Sequence, residues 1–404
     1  MSMNENIVKL TARAPARHRP AERFVRAVLA RLEHGRLAVT LPSGERIEHT
    51  ASVGGPCAAI ELSSWRAVLR TMTGGAVGFA ESYMDGEWTS PDLPALLSVF
   101  VVNRQAIDGV GGSAASRALR RFWHIVHSNT KRGSRRNIRH HYDLGNEFYR
   151  RWLDAGMQYS SAMYEQGDDL ESAQQRKLDR IVGHLALEGG ERVLEIGCGW
   201  GAVAERLTSR HGCHVTGLTL SEEQHDFAAR RLHAIGQSER ADFRLEDYRD
   251  CEGTYDRIVS IEMIEAVGEK YWPQYFEILR RRLRPGGIAV IQAITIAPHR
   301  FERYRRDADF IQRYIFPGGM LPTAGILETQ IGEAGLDLQK VEFFGESYAR
   351  TLAEWRRRFH SAWSDIETYG FDERFRRMWD YYLSYCEAGF SNGCLDVGLL
   401  RVKG

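Results

Sequence analysis

The densest set of residues able to do chemistry is Glu195-Ile196-Gly197-Cys198-Gly199-Trp200-Gly201. It follows an apolar stretch, Arg192–Ile196, and opens a helical one. Glycines at such a turn let the backbone approach a ligand closely at the carboxyl edge of a sheet. Dinucleotide folds use a related loop, so the glycines alone are a weak signal. Three details favour S-adenosylmethionine over a nicotinamide dinucleotide. The spacing is G-x-G-x-G, not G-x-G-x-x-G. Glu195 stands two residues before the first glycine, placed to receive the ligand's amino group. Glu246-Asp247-Tyr248 closes a later strand, where an acid that contacts adenine is usual in this enzyme class. The strand ending Gly217-Leu218-Thr219 carries no carboxylate for a ribose and offers Thr219, Ser221 and Gln224 instead.

The elements that must position these groups alternate. Arg192–Ile196, His214–Leu218, Ala241–Leu245, Tyr255–Ile261 and Ile288–Ala293 read as strands. Gly201–Arg210, Ser221–Ile235 and Lys270–Leu283 read as helices. Ser221 and Gln224 have the spacing of a capping box. Pro285-Gly286-Gly287 is expected to stop the third helix. Such alternation implies an α/β fold with a doubly wound parallel sheet.

Before it, Ala21–Asn103 reads as a small mixed domain. A helix is expected over Ala21–Glu33, and a hairpin from Arg36–Leu41 and Glu45–Thr50 around Pro42-Ser43-Gly44. A second helix, Trp65–Thr71, would be capped by Ser63-Ser64. Residues 1–20 have the composition of a disordered start. The assigned order is a disordered 1–20, a small domain over 21–115, a basic helix and linker over 116–139, and a catalytic domain over 140–404.

The 404 residues are 43% hydrophobic and 26% charged, with a formal net charge of +1, an ordinary globular balance that excludes a globally basic nucleic-acid binder. Six cysteines, at 57, 198, 213, 251, 386 and 394, form no C-x-x-C pair and are too few for a disulfide framework. They suit a reducing cytoplasm. Met1–Lys9 lacks the apolar core of a signal peptide. The longest apolar run, near Leu93–Val102, is too short to cross a bilayer.

Longer runs carry a family resemblance. They include His140-His141-Tyr142-Asp143-Leu144-Gly145-Asn146, Met157-Gln158-Tyr159-Ser160-Ser161-Ala162 and Leu170-Glu171-Ser172-Ala173-Gln174-Gln175. The glycine loop, Thr219-Leu220-Ser221-Glu222-Glu223-Gln224, Asp247-Tyr248-Arg249-Asp250 and Tyr314-Ile315-Phe316-Pro317-Gly318-Gly319 continue it. Tyr381-Tyr382-Leu383-Ser384-Tyr385-Cys386-Glu387-Ala388-Gly389-Phe390 closes it, and Glu81-Ser82-Tyr83-Met84-Asp85-Gly86 is a fainter match. The chain resembles the cyclopropane-fatty-acyl-phospholipid synthases, including their mycolic acid and fatty acyl methyltransferase members.

That resemblance implies a methyltransferase fold and S-adenosylmethionine as cofactor. It implies that Tyr159 and Ser160 close over the cofactor, and that Gly197, Gly199, Thr219, Gln224, Asp247 and Tyr248 line it. It also implies a bound bicarbonate that takes a proton, with Glu265, the Ile294 backbone and Cys386 around it. Three positions depart from the pattern: Ser161 replaces a cysteine, Gln292 a histidine and Arg356 a tyrosine. Ser161 and Gln292 are expected to donate hydrogen bonds where the replaced residues would.

The chemistry this implies is methyl transfer to a fatty-acyl double bond, followed by loss of a proton. Loss from the new methyl closes a cyclopropane, and loss from a neighbouring carbon leaves a methylated alkene. Glu265 lies just past the strand Ile258–Glu262, at the sheet's carboxyl edge. Glu262 reads as a solvated carboxylate. Cys386 reads as core or site lining. Tyr304, Phe310, Tyr314 and Phe316 are candidates for an apolar tunnel or for plain core. His140 and His141 lack metal-ligand spacing.

The expected partners are the unsaturated acyl chains of phospholipids, a membrane surface and a homodimer, with no nucleic acid. Eight Lys or Arg and no acid lie between Asp108 and Asp143. Leu119, Phe122, Trp123 and Val126 interleave with them, which suits an anionic membrane surface or a solvated linker. The expected location is cytoplasmic and peripheral, at the inner membrane surface. Open-chain methylation, a small-molecule methyltransferase and an inactive lipid binder are the competing readings.

Overall fold

The computed structural model describes residues 19–107, 144–306 and 309–404. The start of the chain, the basic stretch 116–139 and His140-His141 lie outside the described residues. The chain forms two compact units. The first holds the described residues 19–107 together with 372–388, and the second holds 144–371 and 389–404.

In the first unit, β1 (His34–Thr40) pairs antiparallel with β2 (Arg46–Thr50) in the hairpin read from the sequence. It pairs parallel with β3 (Val53–Leu62), which meets β4 (Trp88–Thr89). Ser64 caps the second helix by accepting from the Arg66 amide. That helix extends from Trp65 to Met84, well past the expected end at Thr71. Gly75, at φ 61°, kinks it without ending it. The C-terminal helix Glu373–Ser391 completes this unit. Tyr83 donates its hydroxyl to Asp380 at 2.6 Å, and Arg374 reaches Asp85 at 2.9 Å. Two distant stretches of the family resemblance therefore meet here. Residues 372–388 cluster apart from the 140–404 stretch to which the sequence assigned them.

The second unit is built on a seven-stranded sheet, β10-β11-β9-β8-β5-β6-β7. β5 (Arg192–Ile196), β6 (His214–Thr219), β7 (Ala241–Leu245), β8 (Tyr255–Ile261) and β9 (Leu283–Ile296) are parallel. β11 (Leu395–Lys403) lies antiparallel between β9 and β10 (Asp337–Phe343). Side chains alternate between two cores, as the pleat requires. Leu194, Ile258 and Ile291 join the cluster of Tyr275, Phe276 and Leu327. Val193, Val259 and Val290 join the cluster of Leu178, Ile181 and Leu207.

The expected helices form with small shifts. Pro273 sits in the first turn of the helix Trp272–Arg282, which a 3-10 turn, Glu269–Tyr271, precedes. β9 begins at Leu283, not at Ile288. Tyr255 pairs with Leu283 and Arg257 with Ile288, so Arg284-Pro285-Gly286-Gly287 is accommodated as a bulge inside the strand. Among the described residues no helix is long and apolar enough to cross a membrane.

Candidate functional site

The glycine loop leaves β5 at the carboxyl edge of the sheet, where the sheet order reverses between β5 and β8. Gly197, Gly199 and Gly201 all have positive φ, at 81°, 51° and 83°. A Cβ on Gly197 would lie 2.8 Å from Met263 Cγ, whereas one on Gly199 would point into open space. The amides of Gly197 and Cys198 donate to the Leu218 carbonyl at 3.0 and 2.9 Å, which ties the loop to β6. Glu195 is buried, and its Oε2 has no partner. Burial pushes its carboxyl up to about 8, against the smaller opposing effects of the Ala204 amide and the Arg231 charge.

The end of β6 builds a chain of polar groups. Thr219 donates its hydroxyl to Gln224 Oε1 at 2.9 Å, and the Ser221 amide donates to Thr219 Oγ1 at 3.2 Å. Ser221 caps the helix Glu222–Ala234 by accepting from the Gln224 amide. Only this half of the expected capping box forms, because Gln224 turns its side chain to Thr219. Asp247 follows β7 and is buried. Arg249 donates to both of its oxygens, at 2.8 and 2.6 Å. Tyr248 is buried edge-on against Tyr275, and burial raises its hydroxyl.

The segment Gln158–Ala162 crosses this edge and is tied down from beneath. Lys177 is fully buried and donates to Ser160 Oγ at 2.7 Å, while Gln174 donates to the Ser160 carbonyl at 3.0 Å. Desolvation pushes the Lys177 ammonium down to about 8. Sequence reasoning missed this residue. Its signal is the helix Leu170–Leu185, whose buried face runs Leu170, Ala173, Gln174, Lys177, Leu178 and Ile181 at helical spacing.

Past β8 lie two acids, and the reading of Glu262 as a solvated carboxylate is wrong. Its Oε1 accepts from the Ser161 amide and from Gln292 Nε2, both at 2.8 Å, and its Oε2 accepts from the Tyr348 hydroxyl at 2.7 Å. It sits at φ 48°, where a non-glycine residue is uncommon. Burial raises its proton affinity despite these three donors. Glu265 Oε1 accepts from the Ile294 amide at 2.6 Å, and its Oε2 is buried without a partner. Burial, and then the charge of Glu262, push Glu265 up to about 8. β9 carries Gln292 and Ile294 on one face, so the structure brings Ser161, Glu262, Glu265, Gln292 and Ile294 together.

Aromatic rings wall this region. The Tyr159 ring packs 5.4 to 5.5 Å from Tyr149, Trp152 and Trp355, and 6.4 Å from Phe316. Of the four tunnel candidates, Phe316 faces Tyr159, and Phe310 packs on Tyr314. Tyr304 packs against the main core cluster. Cys386 is half-buried, on the part of the C-terminal helix that clusters with the first unit. Arg356 is half-buried on the helix Gly345–Ser361. Among the described residues no cluster suits a metal ion.

The family model for mycolic acid cyclopropane synthetase matches residues 129–400. The chain belongs to this family. It is therefore an S-adenosylmethionine-dependent methyltransferase, as the sheet order and the glycine loop anticipate. A tuberculostearic acid methyltransferase of Mycobacterium tuberculosis is 41% identical over 80% of this chain and 78% of its own. The cyclopropane-fatty-acyl-phospholipid synthase of Escherichia coli is 36% identical over 82% of this chain and 84% of its own. The crystal structure of a mycolic acid cyclopropane synthase complexed with SAH and CTAB superposes at a TM-score of 0.63. It is 28% identical and covers 67% of this chain and 98% of that one.

Proposed function

We propose that this chain transfers the methyl group of S-adenosylmethionine to the cis double bond of an unsaturated phospholipid acyl chain and closes a cyclopropane ring. The observation that carries this reading is the buried, unpartnered Oε2 of Glu265. It lies at the carboxyl edge of the sheet, past the strand next to the glycine loop. An alkene needs no base before it is methylated, but the cation that follows must lose a proton within reach of an acceptor.

The residues fit the cofactor. Glu195 Oε2, buried and unpartnered, matches the need of a ligand ammonium. Gly199 leaves room for close approach. Thr219, Ser221 and Gln224 supply hydroxyl and amide groups for a ribose. Asp247, already oriented by Arg249, and Tyr248 stand where an adenine would be edged. When bound, the sulfonium supplies an electrophilic methyl group. Tyr159 and Trp355 exclude water, which would quench the cation, and their ring faces favour positive charge.

The second reading is methylation without ring closure. It is supported by the 41% identical relative, which is named a methyltransferase and not a cyclopropane synthase. Both products gain one CH2, so mass does not separate them. Proton NMR of lipids from cells expressing the chain, against an empty-vector control, does. Upfield ring protons support the cyclopropane, and a retained vinylic signal supports the methylated alkene. We further propose that the enzyme meets phospholipid at the membrane surface through the basic stretch 117–139, which lies outside the described residues.

A further inference from the structure

The family resemblance implies a bicarbonate held by hydrogen-bond donors around Glu265. In the second unit Ser161, Gln292 and the Ile294 amide already spend their donors within the protein. Ser161 gives its amide to Glu262 Oε1 at 2.8 Å and its hydroxyl to the Ala162 carbonyl at 2.9 Å. Gln292 gives Nε2 to Glu262 at 2.8 Å and to the Ser161 carbonyl at 3.5 Å. Ile294 gives its amide to Glu265 at 2.6 Å. The expectation that Ser161 and Gln292 donate into the site is therefore overturned.

What Gln292 and Glu265 leave toward the site are oxygens. Gln292 Oε1 and Glu265 Oε2 are both buried without a partner. The orientation of the Gln292 amide is not arbitrary. Glu262 Oε1 takes the 2.8 Å contact as an acceptor, so the amide nitrogen must face it and the oxygen must face away. Glu262 also brings a second carboxylate close enough to raise the proton affinity of Glu265. A small anion here would meet the lone pairs of Gln292 Oε1 beside the Glu262 carboxylate, and burying it so is costly. Ser161, Gln292 and the Ile294 amide, held this way, do not fit bicarbonate.

We propose that Glu265 is itself the base of this enzyme and takes the proton on Oε2. The inference rests on the proposed methylation of an alkene. In that reaction the π pair of the double bond forms the new carbon–carbon bond to the methyl group, and the breaking carbon–sulfur pair stays on sulfur. The second alkene carbon is left cationic. Glu265 removes a proton, from the new methyl or from a neighbouring carbon. The C–H pair then closes the ring or forms a new double bond, and the protonated carboxyl returns its proton to water as product leaves. Burial and Glu262 raise the proton affinity of Glu265, which makes it a stronger base than an exposed carboxylate. Glu262 is a positioning residue that holds the Gln292 amide with its oxygen toward the site.

The test uses the full chain with S-adenosylmethionine and vesicles of a monounsaturated phospholipid, in buffer scrubbed of carbon dioxide, with and without added bicarbonate. Turnover is expected to stay within about twofold in the two buffers, and Glu265→Gln is expected to lose about a hundredfold or more in both. Glu265→Asp, which keeps a carboxylate, is expected to retain more turnover than Glu265→Gln. S-adenosylmethionine binding by each variant confirms that it is folded. A wild-type rate that falls about tenfold or more on scrubbing and returns with bicarbonate overturns the assignment. So does Glu265→Gln with unchanged turnover. No methylated lipid in any arm overturns the underlying reaction, and the base assignment with it.

Discussion

Glu262 Oε1 and Gln292 Nε2 lie 2.8 Å apart across the ends of two adjacent parallel strands, and this contact fixes which end of the Gln292 amide faces the site. The same carboxylate holds the Ser161 amide and the Tyr348 hydroxyl. Glu262 thus joins the crossing segment, β9 and the helix Gly345–Ser361.

Glu262→Gln places an amide among three donors and can satisfy them with only one oxygen. Stability is expected to fall by about 1–3 kcal/mol. Methylation is expected to fall more than cofactor binding. Thermal melts and calorimetric titration with S-adenosylmethionine check this, and an unchanged melting temperature would return Glu262 to a surface role.

Gly199→Val forces a branched side chain into φ 51° and into the space before the loop. Affinity for S-adenosylmethionine is expected to fall at least about tenfold, since left-handed strain alone is worth about 1–2 kcal/mol. Equal affinity in the variant would contradict the assignment of the loop.

Lys177→Met keeps the side-chain length and removes a buried charge. The melting temperature is expected to hold or rise, because replacing buried charge by apolar volume is often neutral or stabilising. The Ser160 contact is lost, so cofactor affinity is expected to drop by about 1 kcal/mol. A variant that is less stable but binds normally would make Lys177 a structural residue only.

Stability of the ligand-free protein should depend on pH. Glu195 and Glu265 have folded values raised to about 8, from an ordinary 4.5. Their folded forms hold protons that the unfolded chain releases. This stability is fully present below about 4.5 and is lost as pH rises toward 8, on the order of a few kcal/mol for each group. Lys177 acts above that window. Its folded value is lowered to about 8 from 10.5, so its contribution improves from 8 upward. Denaturant melts are expected to show a decline between about pH 5 and 8 that is shallower in Glu265→Gln.

Most of the sheet was legible because strand and helix periods alternate cleanly from Arg192 onward, and the glycine loop announced its own place. The capping residues Ser64 and Ser221 were legible for the same local reason. What escaped depends on contacts far apart in the chain. Nothing local to Glu262 reveals that residues 161, 292 and 348 converge on it, and an acid after a strand is ordinarily solvated. Gln292 was recognised as a site residue, but which way its amide points depends on Glu262. The bulge at Pro285-Gly286-Gly287 was read as a stop because those residues break helices and, given a partner strand, also bend strands. Residues 372–388 cluster with the first unit through Tyr83 and Asp85, a pairing that no spacing rule predicts.

The most direct test follows a label. The purified chain is given S-adenosylmethionine carrying an isotope in its methyl group, together with vesicles of a monounsaturated phospholipid, and the acyl chains are analysed by NMR. The account predicts that the label enters the chain at the former double bond, as an upfield ring methylene. The same label as a methyl group on an alkene would support methyl transfer and contradict ring closure. Label that never reaches the acyl chain, while S-adenosylmethionine still binds, would contradict the account as a whole.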